Sequence, residues 1–366
     1  MNTTTRCTAL HTVLLATLVL TPRPSRADEP KPLTEPVDGI AGRDHLVRQV
    51  LATLHEGLFE EALRTSARLR DLYPQDPAGA LGAANVYQTM MRDFRVRTFE
   101  REFGAMLAEA QTLSSRSFEQ RPSSEAAFAR GTARLYQAVH RFTRGERAGA
   151  FLDAVAGMRD MRRAAEQDAT SVDPLLAMAV HDYWKAEHLG LGIGLFSGGR
   201  KLAVERLQIV QARGRFLRVE ASYALEMIHL KEGRFASALA LNDTLLAHFP
   251  DNPVALYHRA LSLEGLLRRD DALDVWDRLV ARLHAFPHQS DGFLAECHLR
   301  RAQLFQATGQ IAESRAALAR ATGHICRRDA AKEMEGPLVR TESIRKSVIQ
   351  LARTQAPPLT CGGPVQ

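Results

Sequence analysis

The sequence predicts an all-α protein built from helix–turn–helix hairpins, and three observations lead to that prediction. The strand-like alternation of apolar and polar residues is not found along the chain. Aromatic residues make up 6% of the sequence, whereas Ala, Leu and Arg are abundant, and this composition favours helices packed through small side chains. In addition, segments 57–74 and 233–250 repeat the same pattern of residues at the same spacing.

The repeated residues are those that a helical hairpin needs. Glycine ends the first helix because the chain must turn with positive φ. An aromatic side chain fills the turn, alanine sits where the two helices come closest, and proline ends the second helix. In the two segments these residues are Gly57, Phe59, Ala62 and Pro74, and Gly233, Phe235, Ala238 and Pro250.

This pattern resembles the tetratricopeptide repeat, a hairpin of about 34 residues. The next unit has Ala272 34 residues after Ala238, although Leu267 replaces its turn glycine. A last, degenerate unit turns at Gly309. The less regular middle is similar to that of uncharacterised bacterial envelope proteins with such hairpins. The resemblance implies a solenoid whose first helices line a concave groove for peptides or protein segments, closed by a C-terminal capping helix.

The N-terminal residues carry the signals of export. Arg6 precedes an apolar stretch at 7–20, and Ser25 and Ala27 are small residues at the positions that signal peptidase requires, so we expect cleavage after Ala27. The apolar stretch is too short to span a bilayer comfortably, which argues against stable membrane insertion after cleavage. The expected organisation is a signal peptide at 1–27, a Pro-rich linker at 28–42, irregular hairpins at 43–215, better-formed repeats with a capping helix at 216–353, and a tail at 354–366.

The charge balance points away from nucleic acid. The full chain has a net charge of +6, and removing the three arginines of residues 1–27 leaves 45 bases against 42 acids. This nearly neutral balance gives no argument for nucleic-acid binding. We therefore expect a protein or peptide partner in the periplasm or cell envelope, and no cofactor or catalytic residue.

Helical phase gives candidates for the groove. In the better-formed units, first-helix residues that lie off the packing stripe should face a partner. These residues are Tyr223, Met227, Tyr257 and Arg259.

The stretch HLGLGIGLFSGGRK at 188–201 suggests a ligand loop, but its glycines miss the spacing of dinucleotide-binding and Walker loops. One interpretation is a loop packed between hairpins. The other is a helix N-terminus at which Arg200 and Lys201 contact a small anion or an acidic peptide.

A second alternative is a hydrolase-type enzyme around His181 and Asp182, with His188 seven residues beyond His181. No HExxH or CxxC motif occurs, so no metal site is expected. The stretch RDFRVRTFER at 92–101 suggests a solvated amphipathic helix or, alternatively, a membrane-surface contact.

The cysteines suggest a disulfide in the last hairpin. Cys297 and Cys326 should lie at similar heights on its two antiparallel helices, so we predict that they pair. Pairing of Cys326 with Cys361, or three thiols without an internal bond, remain alternatives.

Overall fold

The computed structural model describes residues 39–189 and 197–354, and within these residues the prediction of an all-α protein is confirmed. The two extended residues Val96 and Glu333 form an isolated antiparallel bridge, and no strand forms elsewhere in the described ranges. The helices are α1 (Ile40–His55), α2 (Phe59–Leu72), α3 (Ala78–Phe94), α4 (Glu100–Gln120), α5 (Ser124–Thr143), α6 (Arg147–Gln167), α7 (Pro174–Leu189), α8 (Ser197–Arg213), α9 (Arg218–Lys231), α10 (Phe235–His248), α11 (Pro253–Gly265), α12 (Arg269–Ala285), α13 (Asp291–Ala307), α14 (Ile311–Arg327) and α15 (Thr341–Thr354).

The chain divides into two compact units. The first unit contains the residues up to Gln88 and Arg101–Leu225, and the second contains Thr89–Glu100 and the residues from Glu226 onward. The end of α3 and the turn after it therefore belong with the later helices of the second unit. This exchange of a short segment was not anticipated from the sequence.

Five hairpin turns share one backbone geometry. In each, a residue with φ between 59° and 84° ends the first helix, and the next N–H donates to a carbonyl five residues earlier at 2.8–2.9 Å. This is the bonding of a Schellman motif, which satisfies carbonyls that the helix end leaves without partners. The turn residues are Gly57, Gly145, Gly233, Leu267 and Gly309.

Each second helix approaches its partner through a small side chain five residues after the turn residue. Four of the five are alanines, and all are buried. In the last hairpin Ser314 takes the place of alanine, and its hydroxyl donates to the carbonyl of Ala302 on the facing helix at 2.8 Å. The other four are Ala62, Ala150, Ala238 and Ala272.

The first helices of the later hairpins are enclosed, and the second helices are not. No residue of Pro253–Glu264 in α11 or of Asp291–Ala302 in α13 is exposed. By contrast, α12 and α14 each present an exposed face to solvent. These first helices therefore offer a partner only partly buried side chains, Arg259 among them.

The helix that follows the last hairpin, α15, covers it. Ile344 and Val348 of α15 pack into one apolar cluster with Leu299 of α13 and Leu318 of α14. Leu338 precedes α15 and is 38% exposed. None of the described helices is long and apolar enough to cross a membrane.

Candidate interaction site

The four groove candidates differ in their exposure. Tyr257 and Met227 are 3% and 6% exposed, so neither can meet a partner without rearrangement. Tyr223 is partly buried, with its ring 6.4 Å from that of His55. Arg259 is the charged residue of the four, and it forms an ion pair with Asp243 while 24% of its side chain is exposed. Tyr257 and Met227 therefore do not line an open groove, contrary to the prediction. Helical phase gives the direction in which a side chain points, but not how deeply it is buried.

The space in front of Tyr257 is filled by an arginine from the chain itself. Arg95 lies in the turn after α3, and its guanidinium donates to Glu296 Oε2 at 2.6 Å. Its Cζ atom lies 3.6 Å from the ring centroid of Phe293 and 5.1 Å from that of Tyr257. The Tyr257 hydroxyl donates to the other oxygen of Glu296 at 2.7 Å. Arg95 thus sits in a cage of two aromatic rings and one carboxylate, and we call these four residues the arginine cage.

The arginine cage holds its charge although it is buried. Burial opposes the Arg95 cation, yet the Glu296 carboxylate outweighs this effect, and the pKa of Arg95 lies above its ordinary value. Burial, with Glu296 adding to it, raises the pKa of Tyr257, so its hydroxyl remains a donor. A guanidinium between a carboxylate and aromatic faces is the usual setting of a buried arginine.

The backbone of the same segment is also held. The Arg97 N–H donates to the Lys332 carbonyl, and the Met334 N–H donates to the Arg95 carbonyl, each at 2.8 Å. Gly336 leaves room for the guanidinium, because a Cβ there would lie 2.7 Å from Arg95 Nη1. The short turn after α3, in which Arg95 has φ 55°, is therefore held through two main-chain hydrogen bonds and through one side chain in a cage.

Phenylalanine side chains anchor the segment on either side of Arg95. The Phe94 ring stacks on Phe286 with a centroid distance of 3.7 Å, and Phe99 meets Phe286 edge-on at 6.5 Å. Phe94 is 1% exposed and Val96 is 2% exposed. The stretch at 92–101 is therefore not the solvated amphipathic helix that the sequence suggested. Its alternating charges include a buried arginine whose partner lies 201 residues away.

Glu333 fixes the strip of chain that pairs with this segment. Its carboxylate accepts from the Ser290 hydroxyl and from the Gly292 N–H, both at 2.7 Å. These groups lie at the start of α13, where a carboxylate suits the free N–H groups and the helix dipole. The strip that contacts Arg95 and the helix that supplies Glu296 are thus tied together.

A second buried network lies around Arg259. His258 Nδ1 is 2.8 Å from Glu226 Oε2, and Asn242 donates to Glu226 Oε1 at 2.7 Å. Asn242 also donates to the Ala255 carbonyl, which ties α10 to α11. Arg259 bonds Asn242 from the partly exposed side. The network stabilises the hairpins beneath the accessible cation.

The other sequence candidates are not assembled into a site. Asp182 accepts from Arg206 at 2.6 Å, and Lys201 is 3.8 Å from Glu205. Arg200 is partly buried at the start of α8. The side chain of His188 and residues 190–196 of the glycine stretch lie outside the described residues. Within the described residues, no group of three potential metal ligands comes together.

The predicted disulfide between Cys297 and Cys326 is wrong. Cys297 is a buried thiol without a disulfide, so the expected bond to Cys326 does not form. Burial, followed by the nearby Glu296 carboxylate, raises the pKa of Cys297, which makes it unreactive at neutral pH. Similar height along two antiparallel helices does not place two side chains on facing sides. Cys361, the alternative partner of Cys326, lies outside the described residues.

The chain matches no family model and no curated protein sequence. Function is therefore inferred from the residues of this chain and their contacts.

Proposed function

We propose that this chain is an exported, non-enzymatic helical-repeat scaffold that holds a segment of another envelope protein or a peptide. The tetratricopeptide resemblance and the five equivalent hairpin turns support a solenoid of stacked hairpins. The observation that carries the proposal is the arginine cage. The second unit already holds a short segment of its own chain, the turn after α3, through two main-chain hydrogen bonds and one arginine.

Arg259 is the groove candidate that remains suited to a partner. It is an accessible cation on α11, supported from below by the Glu226 network. Because its partner Asp243 is itself 60% exposed, a carboxylate of a bound segment could replace Asp243 at little cost. We therefore place the partner contact on the surface around Arg259.

The two alternatives have less to support them. An enzyme around His181 and Asp182 needs an available carboxylate, whereas that of Asp182 is already paired with Arg206. An anion site at α8 needs uncompensated charge, whereas Lys201 lies near Glu205. For these reasons the scaffold proposal is preferred.

The proposal is tested by in-cell crosslinking of the affinity-tagged protein, followed by mass spectrometry. We expect one dominant envelope partner that is lost with Arg259→Glu and kept with Arg315→Glu, a control at an exposed arginine of α14. If no protein is enriched above background, or if both variants retain the partner equally, the proposed groove contact is wrong.

Export is tested by a separate experiment. N-terminal sequencing of the protein from a periplasmic extract should begin at Asp28. A protein that begins at Met1 and fractionates with the cytoplasm would contradict export and leave the groove proposal to be judged by crosslinking.

A further inference from the structure

Two histidine rings stack on each other between the helices of the last hairpin. His298 of α13 is 3% exposed, and the side chain of His324 of α14 is 12% exposed. Their ring centroids are 5.4 Å apart, and the two ring planes are 12° from parallel. We call these two residues the imidazole pair. The stacked rings are part of the contact that holds α14 against α13.

Hydrogen-bond partners assign the tautomer of each ring. Arg301 Nη1 lies 3.2 Å from His298 Nδ1, and because a guanidinium only donates, this nitrogen accepts and the proton of the neutral ring is on Nε2. His324 Nδ1 lies 2.6 Å from Asp291 Oδ1, and because a carboxylate only accepts, His324 donates from this nitrogen. A second proton on His298 therefore has to displace the hydrogen bond from Arg301.

Cations surround the imidazole pair on three helices. Arg301 belongs to α13, Arg320 and Arg327 belong to α14, and His284 belongs to α12. Arg327 is the nearest to His324, with Nη2 lying 2.8 Å from the ring nitrogen Nδ1. A positive charge placed on the pair therefore meets like charge from each of these helices.

The two carboxylates near the imidazole pair already have cationic partners. Asp291 of α13 accepts from His324 and lies 3.3 Å from Arg327. Asp277 of α12 lies 2.7 Å from Arg301. Neither carboxylate can neutralise a new charge on the pair without giving up the charge that it already compensates.

The other elements packed on this hairpin add little charge near the pair. From α15, the side chains in the apolar cluster of the hairpin include Ile344 and Val348. The strip after α14 brings Glu333 and Arg328, which lie 3.9 Å apart, to Gly292 at the start of α13. That position is about 9 Å along the helix axis before the pair's residue on α13. The arginines of α13 and α14 therefore dominate the electrostatic surroundings of the rings.

We propose that the imidazole pair makes the last hairpin sensitive to acid, because protonation of both rings sets cation against cation, displaces Arg301 and separates α14 from α13. Stacked imidazolium rings repel strongly when they are buried. Burial lowers the pKa of both histidines, so the closed hairpin favours the neutral rings. This stabilising effect is complete above about pH 6.5 and is lost as the pH falls below it.

Separation of α14 would reach the arginine cage through the strip that follows this helix. In that strip, the Lys332 carbonyl accepts from the Arg97 N–H, and the Met334 N–H donates to the Arg95 carbonyl. Acid would therefore loosen the hold of the second unit on the turn after α3. This response involves neither Arg259 nor the signal peptide, so it is decided separately from the proposed partner contact and from export.

Hydrogen exchange of the purified full chain from pH 7 to pH 4 tests the proposal, with rates corrected for the intrinsic effect of pH. The amides of Leu318 and Ala321 report on α14, and those of Ala260 and Leu263 report on α11. Between pH 7 and pH 5, His298 alone should lower the protection of α14 about thirtyfold. By pH 4, α14 should have lost its protection while α11 remains protected.

A double variant assigns the effect to the imidazole pair. His298→Asn with His324→Asn removes both titrating rings, whereas the amides keep an acceptor for Arg301 and a donor for Asp291. Its α14 protection should fall less than about threefold between pH 7 and pH 5. The matched control is His248→Asn, because this histidine of α10 bonds a carbonyl of its own helix at the surface, and this variant should respond to acid as wild type does.

Three results would overturn the proposal. They are unchanged protection of α14 between pH 7 and pH 5, an equal loss in wild type and the double variant, and simultaneous loss of protection in α11 and α14, which would mean general acid unfolding. If far-UV circular dichroism shows that the double variant does not fold at pH 7, His298→Asn alone replaces it in the same comparison. The single variant should then lose at least about tenfold less protection than wild type.

Discussion

The two units differ in whether they bury neighbouring arginine and phenylalanine side chains. In the second unit, Arg95 and Phe293 of the arginine cage are almost completely buried. In the first unit, phenylalanine and arginine side chains stand exposed on α6. The difference shows that arginine and aromatic side chains on these helices are buried where the chain itself supplies a segment against them, and stay exposed where it does not.

The largest effect should come from emptying the arginine cage. Arg95→Ala leaves Glu296 charged and buried without its cation, which should lower the free energy of unfolding by about 3–5 kcal/mol. Urea denaturation of the full chain measures the loss. Arg101→Ala is the matched control, since Arg101 is also paired with a glutamate but its side chain is 92% exposed, and the variant should leave the unfolding midpoint unchanged. Equal midpoints for the two variants would show that the cage does not stabilise the second unit.

Acid should weaken the second unit through His298. Burial, followed by the charge of His324 and of the nearby arginines Arg301 and Arg320, lowers the pKa of His298 to about 3. A lowered histidine pKa favours the folded state fully above about pH 6.5, and this contribution is lost as pH falls toward 3. Between pH 7 and pH 4 the loss should be about 3 kcal/mol relative to His298→Asn, measured by urea denaturation. Parallel pH profiles for wild type and variant would contradict the burial of a neutral imidazole.

The first unit should respond to acid in the opposite direction at Asp173. Burial raises the pKa of this carboxyl to about 6, although it accepts hydrogen bonds from the N–H groups of Phe216 and Leu217 before α9. The folded state therefore binds the proton more tightly, and its stabilising effect is complete below about pH 4 and lost as pH rises through 6. Relative to Asp173→Asn, wild type should lose about 2 kcal/mol between pH 4 and pH 7. A difference that stays constant with pH, in the same denaturation series, would rule out this proton uptake.

The smallest effect concerns the hairpin turns, which have the same backbone geometry in both units. Leu267 adopts φ 59° where the other four hairpins have glycine, and its side chain is 70% exposed. Leu267→Gly should therefore stabilise the chain by about 1 kcal/mol, because the left-handed conformation is costly for a residue with a Cβ. Gly233→Leu should destabilise it by a comparable amount, although a Cβ at Gly233 meets nothing within 4 Å. Thermal unfolding compares the two, and changes of the same sign would mean that side-chain packing outweighs backbone strain.

The sequence predicted the local features of the fold well, because turns depend on residues close together in the chain. Gly57 and Gly233 lie at helix ends with positive φ, and Ala62 and Ala238 are buried at the close approach. Leu267 occupies the same turn geometry without a glycine, so packing of the flanking helices can impose a conformation that the residue disfavours.

The candidate site was predicted much less well, because it is built from distant parts of the chain. Tyr257 was named for a partner and instead supports Arg95, whose carboxylate partner lies 201 residues farther along. No local pattern gives such a pairing. The exposed apolar residues Phe151 and Leu152 of α6 were likewise not predicted, although they lie off the stripe formed by Ala150, Met158 and Met161.

Hydrogen exchange of the purified full chain tests the central claim most directly, namely that the second unit grips a protein segment by its backbone. The decisive amides are those of Arg97 and Met334, which bond the facing carbonyls at 2.8 Å. We expect them to exchange as slowly as the amide of Ala302 in the core of α13. Exchange as fast as that of an exposed turn amide such as Gly145 would show that the segment is not held, and the scaffold proposal would lose the observation that carries it.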